Sequence, residues 1–337
     1  MIQATGASQD RGVPVVVLGI IIVIKARHSR HPQALWLAAC ATAIAAAAPA
    51  RAAPGDWVRQ VVPIAAPAES HALPLPVSAL PAVAATEGWA QQTPDQRLVY
   101  NVTQPALIPV PGSLTASTVA PAIILVPGGG FEFLAMDNEG YDVARRLDRL
   151  GVRVFIVKYR TLPVAGGFTG FRDLLVQTFA LGKAPVDITQ DLTHAAADTQ
   201  AAIRMVRDHA REWHVDPVHV GILGFSAGAM TVLATMQANA PDARPDFAGM
   251  IYGPTQTTTV PAKAPPLFAA IAADDRFFAG NDLGLIDGWR KSGAAVEFHL
   301  YGAGGHGFAS HPNGTTSDAW FDQFALWLKM QNIVTTP

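Results

Sequence analysis

One short turn near the middle of the chain constrains its fold more than any other segment. Residues 224–228 read Gly-Phe-Ser-Ala-Gly, directly after a β-type run at 218–223 and directly before a helix-compatible run at 229–234. The pattern G-x-S-x-G between a strand and a helix is typical of a sharp turn that lifts a serine hydroxyl above a sheet. Glycines suit that turn because a Cβ would clash with the neighbouring strand or helix. We therefore predict that Ser226 is a nucleophile; a Gly/Ser turn without a chemical role is the alternative for the motif alone.

Two later strand-like runs end in the residue types that a nucleophilic serine needs. The run 266–273 ends in Asp274-Asp275, and the run 295–301 leads into a glycine-rich segment that contains His306. Such a serine requires a base and an orienting carboxylate, in the chain order Ser, acid, His. We assign Asp275 as the orienting acid and His306 as the general base. Alone, the aspartates would indicate a solvated loop and the histidine a turn; their order and strand-end positions favour catalysis.

A glycine run provides candidate donors for an oxyanion. Residues 128–130 are all glycine and follow the short apolar strand predicted at 122–126. Without side chains, their backbone N–H groups can face a ligand directly. We predict that Gly129, Gly130 and Ala227 form the oxyanion hole, with an ordinary flexible loop as the alternative.

Two other patterns suggest a cofactor or a metal, but neither has the context that it needs. Residues 302–307 match G-x-G-x-x-G, yet no helix follows, and 308–314 is predicted to be loop, which disfavours a dinucleotide site. His209, His214 and His219 are five residues apart, a spacing that scatters them around a helix. We predict neither a cofactor nor a metal.

Four segments together, residues 126–131, 139–144, 224–228 and 304–308, are similar to those of a known superfamily. From about residue 97 onwards the chain resembles the α/β-hydrolases, and more narrowly bacterial esterases related to acetyl xylan esterases, often described as dienelactone-hydrolase-like. The resemblance implies an α/β-hydrolase fold: class α/β, with a mostly parallel central sheet and helices on both faces. It also implies hydrolysis of carbohydrate acetyl esters through an acyl-enzyme, with acetylated xylan or its oligosaccharides as the leading substrate.

The chain departs from these relatives at Ala229, where glycine is common, and in the long connection 163–187. This connection is apolar enough to require packing, either as a surface helix or as a cap over the site. Glu139, near the glycine run, is either a helix N-terminal carboxylate or a brace of the site.

Aromatic residues flank the predicted site. Phe131, Phe277 and Phe308 are predicted to contact the substrate, and packing in the core is the alternative for each.

The N-terminus has the order of regions found in a secretory signal. Residues 25–31 are basic, 34–48 are apolar and Ala50-Arg51-Ala52 is a small-x-small cleavage site. We predict cleavage near Ala52 and a periplasmic or secreted mature protein without stable membrane association. An uncleaved anchor and a lipoprotein processed at Cys40, the sole cysteine, are the alternatives.

The predicted organisation has three parts: a signal region at 1–52, a Pro/Ala-rich linker and N-terminal arm at 53–96, and a catalytic domain at 97–337. The 337 residues and net charge of −2 suit one large domain and give no reason to expect nucleic acid as a partner. We expect a small-molecule or oligosaccharide ester as the substrate, and the oligomeric state is left open.

Two other functions fit the motifs. A prolyl-oligopeptidase-like peptidase shares the predicted triad and fold, but such enzymes usually carry a β-propeller, for which we see no room in this sequence. A non-catalytic surface-binding protein on a hydrolase scaffold is not excluded by fold alone.

Overall fold

Twelve strands in two sheets organise the described residues. The computed structural model describes residues 56–69, 71–77, 86–111, 117–183, 187–278 and 280–334. The strands are β1 (Val62–Ile64), β2 (Leu73–Pro74), β3 (Gly88–Gln91), β4 (Arg97–Tyr100), β5 (Ala106–Pro109), β6 (Ala120–Val126), β7 (Phe133–Ala135), β8 (Arg153–Lys158), β9 (Val215–Phe225), β10 (Ala248–Ile251), β11 (Leu267–Ala272) and β12 (Val296–Tyr301).

The described residues also form six α-helices. They are α1 (Asp142–Asp148), α2 (Gly167–Leu175), α3 (Thr189–Asp208), α4 (Ala227–Gln237), α5 (Gly284–Ser292) and α6 (Trp320–Met330). Short 3₁₀ turns lie at Asp56–Gln60 and Thr316–Ala319, and π-helical turns at Met136–Tyr141 and Val176–Ala180. No helix among the described residues is both long and apolar enough to cross a bilayer.

The larger sheet confirms the predicted fold class. Its strand order is β12-β11-β10-β9-β6-β8-β5-β2. The strands from β12 to β8 run parallel, and β5 and β2 are antiparallel additions at one edge. Every residue of β8 and of β11 is buried, as expected for parallel strands whose two faces are both covered. Because parallel strands end at one edge, the loops that follow β6, β9, β10, β11 and β12 lie near one another.

The smaller sheet corrects the interpretation of the N-terminal arm. Its order is β1-β3-β4-β7, and all its pairs are antiparallel. Residues 53–96 were expected to form a linker and a surface arm, yet they supply β1, β2 and β3, and Trp89 is buried. Strand β4 pairs with β3 on one side and with β7 on the other. Strands of two to four residues are too short to show a period of two, so the pattern was not visible.

The π-helical turn Met136–Tyr141 lies between β7 and helix α1. In this turn, the carboxylate of Asp137 accepts hydrogen bonds from the backbone N–H and the guanidinium of Arg97 at 2.6–2.8 Å. This ion pair joins the turn to β4, which begins at Arg97.

The predicted signal region at 1–52, including Cys40 and the cleavage site, lies outside the described residues. The described residues all fall within one compact unit that spans 52–337.

Candidate active site

A strained turn between β9 and α4 presents Ser226. Its φ of 52° and ψ of −119° lie outside the regions that residues with side chains ordinarily occupy. The N–H of Ser226 donates to the carbonyl of Ile251, at the end of β10, at 3.1 Å. Gly228 lets α4 begin close to the sheet, because a Cβ there would lie 1.9 Å from the carbonyl oxygen of Val126. The neighbouring strands therefore hold Ser226 at the N-terminus of α4.

Ser226, His306 and Asp275 form one hydrogen-bonded chain across the carboxyl edge of the large sheet. His306 Nε2 lies 2.8 Å from Ser226 Oγ, and His306 Nδ1 lies 2.8 Å from Asp275 Oδ2. Asp275 is fully buried, and its other oxygen accepts the N–H groups of Phe277 and Phe278. When Nδ1 donates to Asp275, Nε2 is free to accept the serine proton, which is the tautomer that a general base requires.

The two adjacent aspartates have different roles. Asp275 faces His306, whereas Asp274 is exposed and accepts the N–H of Gly305 at 2.7 Å. Both residues lie in the turn that follows β11, and of the two only Asp275 contacts the imidazole. Asp274 instead fixes the loop residue directly before His306.

The glycine loop after β6 lies against the serine. A Cβ on Gly128 would lie 2.8 Å from the Cβ of Ser226, so only glycine allows this approach. Within the described part of the chain, neither Gly129 nor Gly130 donates its N–H to another protein group. Ala227 is the first residue of α4, and its N–H has no acceptor within the helix. All three predicted oxyanion donors are therefore available.

A buried carboxyl group, Glu139, connects the glycine loop to the imidazole. Its Oε2 accepts the N–H of Gly128 at 2.5 Å, and its Oε1 accepts the hydroxyl of Tyr252 at 2.7 Å. The Tyr252 ring packs edge-on against His306, with 4.9 Å between ring centroids. Burial raises the pKa of Glu139, and the two hydrogen bonds and the nearby His306 partly offset that rise. These contacts favour the bracing role over that of a helix N-terminal carboxylate.

Two tyrosines beside the site were missed by the sequence motifs. Tyr252 directly follows β10, and Tyr159 directly follows β8 and donates its hydroxyl to the carbonyl of Pro127 at 2.7 Å. Burial raises the pKa of both phenols well above the usual value, so both remain neutral donors. Their positions in the sequence could have predicted their place beside the site, because each directly follows a buried parallel strand at the edge that carries Ser226.

The three predicted substrate-contacting aromatic residues divide into two groups. Phe131 and Phe308 are buried, at 1% and 3% exposure, and pack against Tyr159 and Tyr252. The prediction for these two is therefore corrected: they support the site from behind. Phe277 is 43% exposed, and its ring lies edge-on to His306 with 4.7 Å between centroids.

The long connection at 163–187 has features of both predicted alternatives. Its helix α2 packs on the domain, where Phe171 is buried and stacks on Tyr100 with 4.1 Å between centroids. The π-helical turn Val176–Ala180 then brings Phe179 to the site. A Cβ on Gly130 would lie 3.5 Å from Cζ of Phe179.

The described residues contain no cluster of three or more His, Cys, Asp or Glu side chains arranged to hold a metal ion. The loop at 302–307 that matches G-x-G-x-x-G supplies His306 and is followed by irregular backbone rather than by a helix.

A family model and a curated protein each match part of this chain. Residues 183–332 match the dienelactone hydrolase family model. A curated acetylxylan esterase from Xylanibacter ruminicola is 26% identical over 244 residues, which cover 62% of this chain and 45% of that protein. The chain therefore spans about half the length of the curated relative.

Solved structures with the same fold include two hydrolases. An acetyl ester-xyloside bifunctional hydrolase from Caldicellulosiruptor lactoaceticus is similar with a TM-score of 0.54 and 22% identity, over 70% of this chain and 91% of that one. A carboxylesterase from Lactobacillus plantarum is similar with a TM-score of 0.53 and 19% identity, over 72% of this chain and 98% of that one. At these identities the similarity establishes the fold.

Proposed function

The chain has the α/β-hydrolase fold, and from that premise we propose that it is a serine carboxylic-ester hydrolase. The observation that carries the proposal is the hydrogen-bonded chain from Ser226 through His306 to Asp275, with 2.8 Å at both contacts. A nucleophile, a base and an orienting acid at hydrogen-bond distance are what acyl transfer requires.

The proposed reaction has two halves. Ser226 Oγ attacks the ester carbonyl carbon while His306 Nε2 takes its proton, and Asp275 stabilises the imidazolium. The N–H groups of Gly129, Gly130 and Ala227 stabilise the oxyanion, each contributing about 2.7–4 kcal/mol to lowering the barrier. His306 then protonates the departing alkoxide, which leaves an acyl-serine.

In the second half, His306 removes a proton from water, which attacks the acyl-serine carbonyl. The tetrahedral intermediate collapses, Ser226 recovers its proton from His306, and the carboxylic acid is released. The two half-reactions together consume one ester and one water and yield one alcohol and one acid.

The test is hydrolysis of p-nitrophenyl acetate by the purified protein and by Ser226→Ala. We expect the substitution to reduce kcat by about 10⁶-fold, as loss of the nucleophile does in enzymes of this mechanism. Circular dichroism should show an unchanged fold. Near-normal turnover by a folded Ser226→Ala protein would contradict the mechanism. Hydrolysis of a proline p-nitroanilide would favour a peptidase, and inertness towards both substrates would favour a binding protein.

We propose a carbohydrate acetyl ester as the natural substrate, because the curated relative is an acetylxylan esterase. Acetylated xylo-oligosaccharides should be deacetylated with a higher kcat/KM than ethyl acetate, an alkyl ester without a sugar, as measured by acetate release. A higher kcat/KM for ethyl acetate than for every acetylated sugar would overturn this assignment.

We also propose export to the periplasm or the medium, on the basis of the basic, apolar and small-residue regions before Ala53. N-terminal sequencing of the exported protein should begin at about Ala53. A blocked terminus at Cys40 would indicate a lipoprotein, and an intact Met1 would indicate no cleavage.

A further inference from the structure

The proposed reaction makes no use of Glu132, a fully buried carboxyl group beside the glycine loop. Its Oε1 accepts a hydrogen bond from the hydroxyl of Thr178, and its Oε2 has no hydrogen-bond partner among the described residues. A buried carboxyl group with a single donor is costly to desolvate. The one interaction of the Glu132 carboxyl group that can offset this cost is the hydrogen bond from Thr178.

This hydrogen bond joins two segments that lie 46 residues apart in the chain. Glu132 belongs to the glycine loop, and its N–H donates to the carbonyl of Gly129 at 3.0 Å. Thr178 belongs to the π-helical turn Val176–Ala180 and directly precedes Phe179. The bond therefore fixes the position of Phe179 relative to the predicted oxyanion donors.

Phe179 and Phe277 form the two aromatic walls of the site. The Phe179 ring approaches Gly130 on one side and lies edge-on to Phe277 on the other, with 6.3 Å between centroids. Phe277 in turn contacts His306. The Arg276 guanidinium lies 4.6 Å from the centroid of the Phe277 ring, and its Nη1 donates to the carbonyl of Phe179 at 3.4 Å. Both rings are partly exposed.

We propose that Phe179 limits the length of the acyl group, and that Glu132, acting through Thr178, is the positioning residue that holds Phe179 in place. The inference rests on the proposed ester hydrolysis and adds the residues that would restrict it to esters of short acids such as acetate. A phenyl ring between the oxyanion loop and the second aromatic wall occupies the space that a longer chain would need.

The first experiment compares kcat/KM for the p-nitrophenyl esters of acetate, butanoate and octanoate. Phe179→Ala should raise the ratio of kcat/KM for octanoate to kcat/KM for acetate by about tenfold or more. One methylene group in an apolar pocket changes discrimination between substrates by about this factor. An unchanged ratio in a folded Phe179→Ala protein that still hydrolyses acetate would overturn the role of Phe179 and leave the esterase proposal standing. Lack of hydrolysis of every ester by the unaltered protein would overturn both.

The second experiment tests the hydrogen bond. Thr178→Val, which keeps the shape and removes the hydroxyl, should raise the ratio about threefold, a shift in the range of one lost hydrogen bond. Thr178→Ser retains the hydroxyl and should restore the original ratio. Thr199→Val is the matched control, because that buried hydroxyl donates to the carbonyl of Ala195 within α3; it should leave the ratio unchanged.

The carboxyl end of the bond has its own pair of variants. Glu132→Gln keeps an oxygen acceptor for Thr178 and should retain the original ratio, whereas Glu132→Leu removes the acceptor and should shift the ratio as Thr178→Val does. Should Glu132→Leu fail to fold, the comparison of valine with serine at position 178 decides the matter. Equal ratios in those two variants would show that the bond only stabilises the fold.

Discussion

The two sides of the candidate site are supported by different hydrophobic clusters. Ser226, Asp275 and His306 follow strands of the large parallel sheet, whose buried side chains belong to the main hydrophobic core. The opposite side, which carries Phe179, belongs to a separate and smaller core cluster. That cluster comprises Val58, Val61, Ala90, Leu98, Tyr100, Phe133, Phe171 and Leu175. Reactive atoms are thus held by the rigid sheet, and the wall of the site is held by a small cluster and one buried hydrogen bond. We expect substitutions on the first side to change the rate of reaction, and substitutions on the second to change selectivity.

The largest effect that tests this comparison is expected at the aspartate pair. Asp275→Asn should reduce kcat by about 10⁴-fold, because the amide supports the wrong imidazole tautomer. Asp274→Asn is the matched control on the neighbouring residue and should cost less than about tenfold, since an amide oxygen can still accept the N–H of Gly305. Steady-state kinetics with p-nitrophenyl acetate measure both. The reverse ranking would move the orienting acid by one residue.

The next effect concerns stability on the aromatic side. Burial raises the pKa of Glu132 to about 7, and the hydrogen bond from Thr178 only partly offsets that rise. Because the folded-state pKa is raised above the ordinary value of 4.5, the contribution to stability is fully present below about pH 4.5 and is lost by about pH 7. Glu132→Gln cannot titrate and should not show this loss.

The measurement is urea denaturation of both proteins at pH 4.5 and at pH 8. The difference between their free energies of unfolding should shift by about 3 kcal/mol in favour of the glutamine variant at the higher pH. Glu212→Gln, at an exposed position, is the control and should follow the unaltered protein at both pH values. A constant difference for Glu132→Gln would mean that Glu132 is not held in a desolvated environment.

A smaller effect is expected on the first side, at the buried carboxyl group of Glu139 beside the glycine loop. Tyr252→Phe removes one of the two donors to the buried carboxyl of Glu139 and should reduce stability by about 1–3 kcal/mol. The loss should also reduce kcat, because Glu139 holds Gly128 and Tyr252 packs on His306. Tyr301→Phe removes a hydroxyl that donates to Gln323 and not to a group of the site, and should leave kcat unchanged. An equal decrease of kcat in the two variants would contradict the role of Tyr252 in supporting Glu139 and His306.

How well the sequence predicted each part follows from how local its determinants are. The turn at Ser226 and the strands before Asp275 and His306 were predictable, because each depends on a few adjacent residues and on the common edge of parallel strands. The smaller sheet was not predictable from the sequence, because its strands have only three or four residues. Strands this short form through pairing with neighbouring strands and leave no clear pattern in the sequence.

The same reasoning explains the remaining differences at the site. Phe131 and Phe308 could not be separated from Phe277, because their burial depends on rings that approach from distant parts of the chain. The contact between Tyr252 and Glu139 spans 113 residues and leaves no mark on the local sequence.

The backbone of Ser226 has a thermodynamic consequence of its own. A residue with a side chain at φ 52° and ψ −119° stores about 1–3 kcal/mol of strain, which the fold must absorb whether or not substrate is present. Glycine would relieve that strain, although it adds about 0.5–1 kcal/mol of entropy to the unfolded chain relative to alanine. Thermal denaturation should therefore give a higher Tm for Ser226→Gly than for Ser226→Ala. At this residue the conformation that presents the hydroxyl therefore lowers the thermal stability of the protein. A screen for heat tolerance alone would select Ser226→Gly, which lacks the proposed nucleophile.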